Sequence, residues 1–273
     1  MIFFIHIPKT GGTTILDILR KQVYFNQFKR IHSIYSPHPK KFLRNIPRIL
    51  DEIKSLSILP KVIGGHFGYG VHQALDTLPR YFTVLRNPIE RVVSEYYFTK
   101  QRKEHYHHEL IVEQQISLQD YIQHSETYYL NNLQTRLISG ESYSSGDQIT
   151  EEIFRKAIEN LYDFEVIGIT EQMLETISLF YLTFGWQKLP YYLTSNINVH
   201  RPPTEKISQK TISFIEDREN YDIRLYDKAQ IIFRNRVNEN LESLNDIKYK
   251  IMNAPFYYKI YLRILKKWND LLF

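Results

Sequence analysis

The 273-residue sequence contains no cysteine, no N-x-[ST] sequon and no glycine followed by lysine. The lack of cysteine excludes disulfides, thiol catalysis and cysteine-ligated metals. The lack of a Gly-Lys pair excludes the nucleotide-binding pattern G-x-x-x-x-G-K-[ST]. No apolar run approaches the roughly 20 residues of a membrane span, and the first residues predict a strand rather than a secretory signal. We therefore expect a cytoplasmic protein of bacterial origin.

The composition is that of a folded domain with a mild basic excess. Hydrophobic residues make up 43% of the chain and aromatic residues 14%, which predicts a sizeable core and aromatic surfaces for a substrate cleft. The 35 Lys and Arg against 30 Asp and Glu give a formal net charge of +5. This excess suits anionic ligands and does not indicate nucleic acid. We expect one domain over residues 1–245 and a separate C-terminal helix over residues 246–273.

Residues 2–14, IFFIHIPKTGGTT, organise the chain. The apolar run predicts a buried strand that ends at Pro8, and apolar residues at helical spacing follow the glycines. A strand, a glycine-containing loop and a helix N-terminus together suit a phosphate or sulfate group. An ordinary strand-to-helix turn with a solvated lysine is the alternative. The predicted anion-binding residues are Lys9, Thr10, Gly11, Gly12, Thr13 and Thr14.

A second glycine-rich segment surrounds His66. Residues 61–66 predict a short strand, and four of the seven positions 64–70 are glycine. Parallel α/β sheets place their sites at the carboxyl ends of strands, which makes His66 a candidate functional residue. A lone histidine is more often structural, and that alternative stays open.

A third strand, predicted over residues 81–86, ends at Arg86. Asn87 and Pro88 then form a strong helix-start signal, with asparagine as N-cap and proline at the first helical position. Ser94 lies two turns into this helix. A salt bridge is the structural alternative for Arg86, and a small packing residue is the alternative for Ser94.

The rest of the chain alternates between predicted helices and one further strand. The expected helices lie near residues 117–124, 128–138, 150–161, 171–184 and 208–243, and the strand spans 165–169. Residues 26–60 predict a loop followed by a helix around 46–59. This alternation indicates an α/β fold with a parallel sheet flanked by helices.

The C-terminal segment predicts a basic amphipathic helix. Its apolar stripe consists of Tyr257, Tyr261, Ile264, Leu265, Trp268, Leu271 and Leu272, and its basic face of Lys259, Arg263, Lys266 and Lys267. One interpretation is that it docks on the fold or on a partner subunit. The other is peripheral contact with an anionic membrane, which would place the protein at the inner face of that membrane.

Three segments together resemble the sulfotransferases that use 3′-phosphoadenosine 5′-phosphosulfate. Residues 6–14 are similar to the loop that holds the 5′-phosphosulfate, with the lysine ahead of the glycines. Residues 84–97 resemble the element that holds the 3′-phosphate, with Arg86 and Ser94 at the binding positions. Gly65 and His66 resemble the catalytic histidine segment of the heparan sulfate 2-O-sulfotransferase branch. Beyond these three segments, residues 198–206 are similar in type to the family's nucleotide-covering loop, with Arg201 as its anion contact.

The resemblance implies a three-layer α/β fold related to nucleotide kinases, a metal-free site and a carbohydrate or glycolipid acceptor. The product would be adenosine 3′,5′-bisphosphate. The chain lacks the anchor and disulfides of the vertebrate enzymes, so a heparan acceptor does not follow from it.

The mechanistic hypothesis gives each candidate residue one role. Lys9 neutralises charge on the leaving phosphate, while the loop N–H groups and the hydroxyls of Thr13 and Thr14 hold its oxygens. His66 accepts the proton of the acceptor hydroxyl, since histidine titrates near neutral pH. Arg136 and Tyr69 are expected to contact the substrate. Two rivals remain: a kinase that uses ATP, and a non-catalytic module that binds sulfated or phosphorylated ligands.

Overall fold

The structure is a computed structural model that describes residues 1–23, 27–31, 50–51, 53–55, 57–105, 107–124, 131–141, 149–192 and 201–255. Its strands are β1 Ile2–Ile5, β2 Phe28–Ile31, β3 Val62–Gly65, β4 Arg80–Leu85 and β5 Val166–Ile169. Its helices of five residues or more are α1 Gly12–Gln22, a 3-10 helix Val71–Leu75, α2 Pro88–Gln101, α3 His108–Val112, α4 Leu118–Gln123, α5 Leu133–Ser139, α6 Glu151–Asp163, α7 Met173–Phe184, α8 Gln209–Arg218, α9 Asn220–Glu239 and α10 Leu241–Met252.

The five strands form one parallel sheet in the order β2-β3-β1-β4-β5. The carboxyl ends of the three central strands lie side by side, because Ile5 pairs with Gly65 of β3 and with Thr83 of β4. The chain leaves β1 toward one edge of the sheet and leaves β4 toward the other. Such a reversal opens a crevice between the two strands at their carboxyl ends, where parallel α/β sheets bind ligands. The α/β fold predicted from the sequence is confirmed.

The core explains why the short strands hold together. Phe3, Phe4 and Ile5 of β1 are fully buried, as expected for a strand covered on both faces. On one side α1 buries Ile15 and Leu19 against the sheet. Helices α7 and α9 contact β5. The central strands are therefore rigid, and the loops at their carboxyl ends inherit that rigidity.

Most predicted elements are confirmed, and one strand was missed. Helices α4, α6 and α7 lie within about two residues of the predicted ranges, and α5 covers the second half of the range 128–138 and ends one residue beyond it. The range 208–243 consists of α8, α9 and the start of α10, with breaks at Glu219 and Asn240. The prediction of a loop after residue 26 was wrong, because Phe28–Ile31 forms β2. Among the described strands it lies at the sheet edge and pairs with β3 alone, so it tolerates Lys29 and Arg30, which obscure the strand pattern.

The predicted domain boundary after residue 245 falls inside α10. Leu244, Ile247 and Ile251 of this helix are buried in the main core, so the domain extends at least to Met252. The predicted apolar stripe over residues 257–272 lies outside the described residues. Within the described ranges, none of the helices combines the length and apolar character that a membrane span requires.

Candidate anion site at the carboxyl edge of the sheet

The loop between β1 and α1 lies at the crevice beside the end of β4. Lys9 and Gly11 both adopt left-handed backbone conformations, with φ of 67° and 80°. The start of α1 has no side-chain cap among the described residues and no acidic residue in its first turn. The first N–H groups of a helix need acceptors from outside the helix. This helix end is therefore suited to an anion, which also interacts favourably with the helix dipole.

Close packing requires glycine at position 12, whereas the backbone conformation favours it at position 11. A Cβ atom on Gly12 would lie 1.9 Å from the ring of His6. A Cβ atom on Gly11 would lie 2.5 Å from the side chain of Met173, at a φ value that already disfavours other residues. Thr10 is fully buried and its hydroxyl donates to the carbonyl oxygen of Ile7 at 2.9 Å. The side chain of Thr10 therefore braces the loop, which leaves only its backbone N–H for the predicted anion contact.

The ammonium group of Lys9 lies 3.4 Å from the ring centroid of Phe98 in α2. Burial lowers the pKa of Lys9 to about 8; Glu95 opposes the shift, while Arg86 and further arginines add to it. A cation held against an aromatic face in a poorly hydrated site gains strongly from a bound anion. The proposed contact of Lys9 with an anion stays a prediction, with which this position is consistent.

Arg86 joins the end of β4 to the anion loop. Its Nη1 donates to the carbonyl oxygen of Lys9 at 3.0 Å. Its backbone N–H and C=O bond to the side-chain amide of Gln134 in α5 at 2.9 and 3.0 Å. Arg86 is therefore fixed at both its backbone and its side chain.

A second arginine meets Arg86 at the carboxylate of Glu90. The Nη2 atoms of Arg86 and Arg201 lie 3.2 and 2.6 Å from Glu90 Oε2, and Thr204 Oγ1 donates to Glu90 Oε1. The Nε atoms of both arginines are buried and have no partner among the described residues. Ser94 is half-buried one helical turn beyond Glu90, on the same face of α2. The structure thus brings Arg86 and Arg201 together at Glu90, with Ser94 one turn further along α2, and the buried Nε donors of the two arginines suit a phosphate.

His66 follows β3 and reaches across to the end of β1. Its Nδ1 lies 2.7 Å from the carbonyl oxygen of His6, and the two imidazole rings stack with centroids 4.3 Å apart. Because a carbonyl oxygen only accepts, Nδ1 carries the proton in the neutral ring and Nε2 holds the lone pair. His66 is half-buried. This arrangement suits a general base.

Sequence reasoning missed two residues that fix the site. The hydroxyl of Thr170, directly after β5, lies 2.8 Å from the carbonyl oxygen of Thr10 and 3.0 Å from that of Leu85. It therefore ties the anion loop to the end of β4. A polar residue at the carboxyl end of a predicted strand was the available signal for Thr170. Nothing in the local sequence indicated that Gln134 holds the backbone of Arg86.

The predicted substrate contact of Tyr69 receives no support from its position. Its ring packs on Tyr81 and Phe164 with centroids 4.7 and 5.9 Å apart, and its hydroxyl donates to Asp163 at 3.5 Å. Tyr81 lies near the amino end of β4 and Phe164 precedes β5. This cluster therefore lies toward the amino ends of the strands, whereas the anion loop lies at their carboxyl ends.

Arg136, Thr13 and Thr14 are placed less decisively. Arg136 is buried in α5 and its Nε donates to the carbonyl oxygen of Asn131 at 2.9 Å. Thr13 is exposed and Thr14 half-buried on the first turn of α1. Their proposed ligand contacts stay predictions. In the described part of the chain no three His, Asp or Glu side chains cluster as metal ligands would, and the expectation of a metal-free site also stays a prediction.

Comparison with known proteins gives one family. The sulfotransferase family model matches residues 1–229. Among solved structures, mouse sulfotransferase SULT7A1 complexed with PAP is similar with a TM-score of 0.41 and 11% sequence identity, over 83% of this chain and 88% of that chain. No curated protein matches the sequence. The structural likeness is too distant to support an argument about individual residues.

Proposed function

Because the chain belongs to the sulfotransferase family, we propose that it transfers a sulfuryl group from 3′-phosphoadenosine 5′-phosphosulfate to a hydroxyl of a carbohydrate or glycoconjugate. The observation that supports this most strongly is the pair of anion sites at one edge of the sheet. The uncapped start of α1 with Lys9 fits a 5′-phosphosulfate. The buried, unpaired Nε groups of Arg86 and Arg201 fit a 3′-phosphate.

The nucleotide would supply the activated sulfuryl group, whose sulfur–oxygen bond to the 5′-phosphate breaks as the bond to the acceptor oxygen forms. The residues of the chain then have three tasks: to hold two anionic groups, to stabilise charge on the departing phosphate and to remove one proton. Reactions of this type depend mainly on positioning and on preorganised electrostatics.

Lys9 is the candidate for charge stabilisation. Its ammonium is poorly hydrated, and the loop that carries it is fixed by hydrogen bonds from Arg86 and Thr170. Interactions that exist before the reaction need no reorganisation when charge develops. We expect Lys9 to interact more strongly with the leaving phosphate than with the ground state.

His66 is the candidate for proton removal. The hydrogen bond between Nδ1 and the carbonyl oxygen of His6 fixes the tautomer, so Nε2 is the basic atom. The contact with His6 also places His66 beside the start of the anion loop. A base must lie within hydrogen-bonding reach of the hydroxyl that it deprotonates. An acceptor hydroxyl bound above this edge of the sheet would meet that condition.

A thermal-shift comparison tests the proposed cofactor against the two rivals. Adenosine 3′,5′-bisphosphate at about 100 times its Kd should stabilise the protein by about 2.7 kcal/mol without magnesium, while ATP should do so poorly. The reverse ranking would favour the kinase. Transfer of radiolabelled sulfate to a panel of sugars and glycolipids then separates an enzyme from a binding module. A binding module would bind the bisphosphate but would transfer sulfate to none of these acceptors.

A further inference from the structure

Glu90 departs from the usual behaviour of a helix-start glutamate. The sequence Asn87-x-x-Glu90 matches the capping box, in which the third-position glutamate bonds back to the N-cap N–H. The first half of the box is present, because Asn87 accepts from the N–H of Glu90 at 3.2 Å. The return bond is made by another residue: Glu171 Oε1, after β5, accepts from the N–H of Asn87 at 3.1 Å. The Glu90 carboxylate is thus released from capping.

The released carboxylate instead collects three donors from two parts of the chain. Arg86 comes from the end of β4, whereas Arg201 and Thr204 come from the segment that precedes α8. Burial alone would raise the pKa of Glu90, but the hydrogen bonds from Thr204 and Arg201 and the charges of Arg201 and Arg86 together outweigh burial and hold that pKa below its usual value. Glu90 therefore stays ionised and holds two arginines that would otherwise repel each other.

The way in which Glu90 holds the arginines leaves them usable. It takes the Nη2 atom of each guanidinium, and the Nε of each is buried without a partner among the described residues. A buried donor without a partner is unfavourable unless a ligand completes it. A phosphate offers several acceptor oxygens to such donors.

We propose that Glu90 is a positioning residue that orients Arg86 and Arg201 for the 3′-phosphate and thereby sets the preference for nucleotides that carry this group. The inference rests on the proposed function and adds a residue to it. It also makes an unusual demand on electrostatics. A carboxylate next to a phosphate repels it, so the positioning effect must outweigh the repulsion.

This opposition of effects gives the test its sign. The variant Glu90→Gln removes the negative charge with little change in shape. If repulsion dominated, Glu90→Gln would bind adenosine 3′,5′-bisphosphate more tightly. If positioning dominates, binding should weaken by about 10- to 100-fold, the range for losing one or two charge-assisted hydrogen bonds. Binding of adenosine 5′-monophosphate, which lacks the 3′-phosphate, should change less than about threefold.

The matched control is Glu151→Gln. Glu151 also lies in the first turn of a helix and also pairs with an arginine, Arg224, but on the exposed surface. This variant should leave both affinities unchanged. Thr204→Val removes only one of the three donors to Glu90 and should weaken the bisphosphate by a few-fold.

Calorimetric titration of both nucleotides against the wild type and the three variants decides the matter. Tighter or unchanged bisphosphate binding by Glu90→Gln would overturn the proposal, and so would an equal loss for both nucleotides, which indicates a merely structural role. A wild type without preference for the bisphosphate would instead overturn the proposed cofactor. The two failures are therefore distinguishable.

Discussion

Arg86 and Arg91 are near neighbours in the sequence, but their side chains differ in exposure and in how they are paired. The side chain of Arg86 is 18% exposed and shares its carboxylate partner, Glu90, with a second arginine. The side chain of Arg91 is 0% exposed and pairs with Glu219, itself 3% exposed, at 3.2 Å. The first belongs to the anion site and the second to a buried polar network.

In the buried network, the starts of α5 and α9 cap each other. Asn132 accepts two backbone N–H groups from the start of α9, and Asp222 of α9 accepts two from the start of α5. Glu219 accepts from Arg91 and from the N–H of Asn132. Burial raises the pKa of Glu219, and Arg91 opposes that shift. The network thus fixes α5, and through Gln134 it fixes the backbone of Arg86.

The contrast shows how this chain separates stability from ligand binding. The network pairs the ends of its helices with one another, because buried polar groups without partners are costly. The anion site instead holds two partly exposed arginines on one carboxylate, with Arg86 18% and Arg201 13% exposed. Substitutions should therefore affect stability in one region and ligand binding or turnover in the other.

The largest effect is expected at His66, which lies beside the anion site. His66→Ala should lower turnover by about 10²–10⁴-fold, the usual range for a general base, and should leave nucleotide affinity and the melting temperature close to those of the wild type. Its control is His72→Ala, because His72 bonds to Tyr81 away from the anion loop. Near-normal turnover in His66→Ala, measured with an identified acceptor, would remove His66 from the mechanism.

The next effect is expected at Arg91, in the buried polar network. Arg91→Ala leaves the Glu219 carboxylate buried without its ionic partner, which typically lowers the free energy of unfolding by about 3–5 kcal/mol. Arg224→Ala breaks an exposed Arg–Glu pair and should cost at most about 1 kcal/mol. Denaturant unfolding of both variants measures the difference. Equal losses would mean that burial does not distinguish the two ion pairs.

The sequence allowed the anion site to be predicted better than the buried polar network. Lys9, Gly11 and Gly12 lie in a single segment, and Arg86 and Ser94 share one strand-to-helix unit, so short-range patterns suffice to predict both candidate anion sites. The buried polar network joins Arg91, Asn132 and Glu219 from distant parts of the chain. Such pairs carry no local signal, because any buried arginine looks in sequence like a solvated one.

The same reasoning applies to Tyr69 and Thr10, whose ligand contacts stay predictions. Tyr69 was chosen for its glycine-rich neighbourhood, but the chain after β3 runs back toward the amino ends of the strands, where Tyr69 stacks on Tyr81. Thr10 was counted among anion donors, but its hydroxyl bonds within the loop. Both cases concern the direction of a side chain, which depends on tertiary packing that residue type and position do not determine.

A smaller and more selective effect is expected at Arg86. Arg86→Ala should weaken adenosine 3′,5′-bisphosphate by about 10- to 150-fold, since a hydrogen bond to a charged group contributes roughly 1.5–3 kcal/mol. Affinity for adenosine 5′-monophosphate should barely change. Titration of both ligands against both proteins forms a cycle that isolates the 3′-phosphate contribution. An equal loss for both nucleotides would place Arg86 with the structural residues and would remove the contrast with Arg91.

The smallest effect concerns the charge of Lys9. Burial lowers its pKa to about 8, so the free protein loses the ammonium as the pH rises through that value. The pH dependence of kcat/KM reports the ionisation of free enzyme. If Lys9 must be charged, kcat/KM should fall about tenfold per pH unit above pH 8. The anionic nucleotide favours the charged form, so the fall in kcat should begin at a higher pH.

Stability should move in the opposite direction over the same pH range. The folded-state pKa of Lys9 is about 8 and the unfolded value is 10.5, so the unfolded chain binds more protons between these pH values. The contribution of Lys9 to the free energy of unfolding therefore rises from pH 8 to pH 10.5, since below pH 8 the buried charge destabilises the fold. Lys9→Met removes this titration while keeping an apolar side chain against Phe98. Its melting temperature should exceed that of the wild type at pH 7 by roughly 5–10 °C, and the difference should shrink by pH 10. A difference that stayed constant with pH would mean that Lys9 is not desolvated in the free protein.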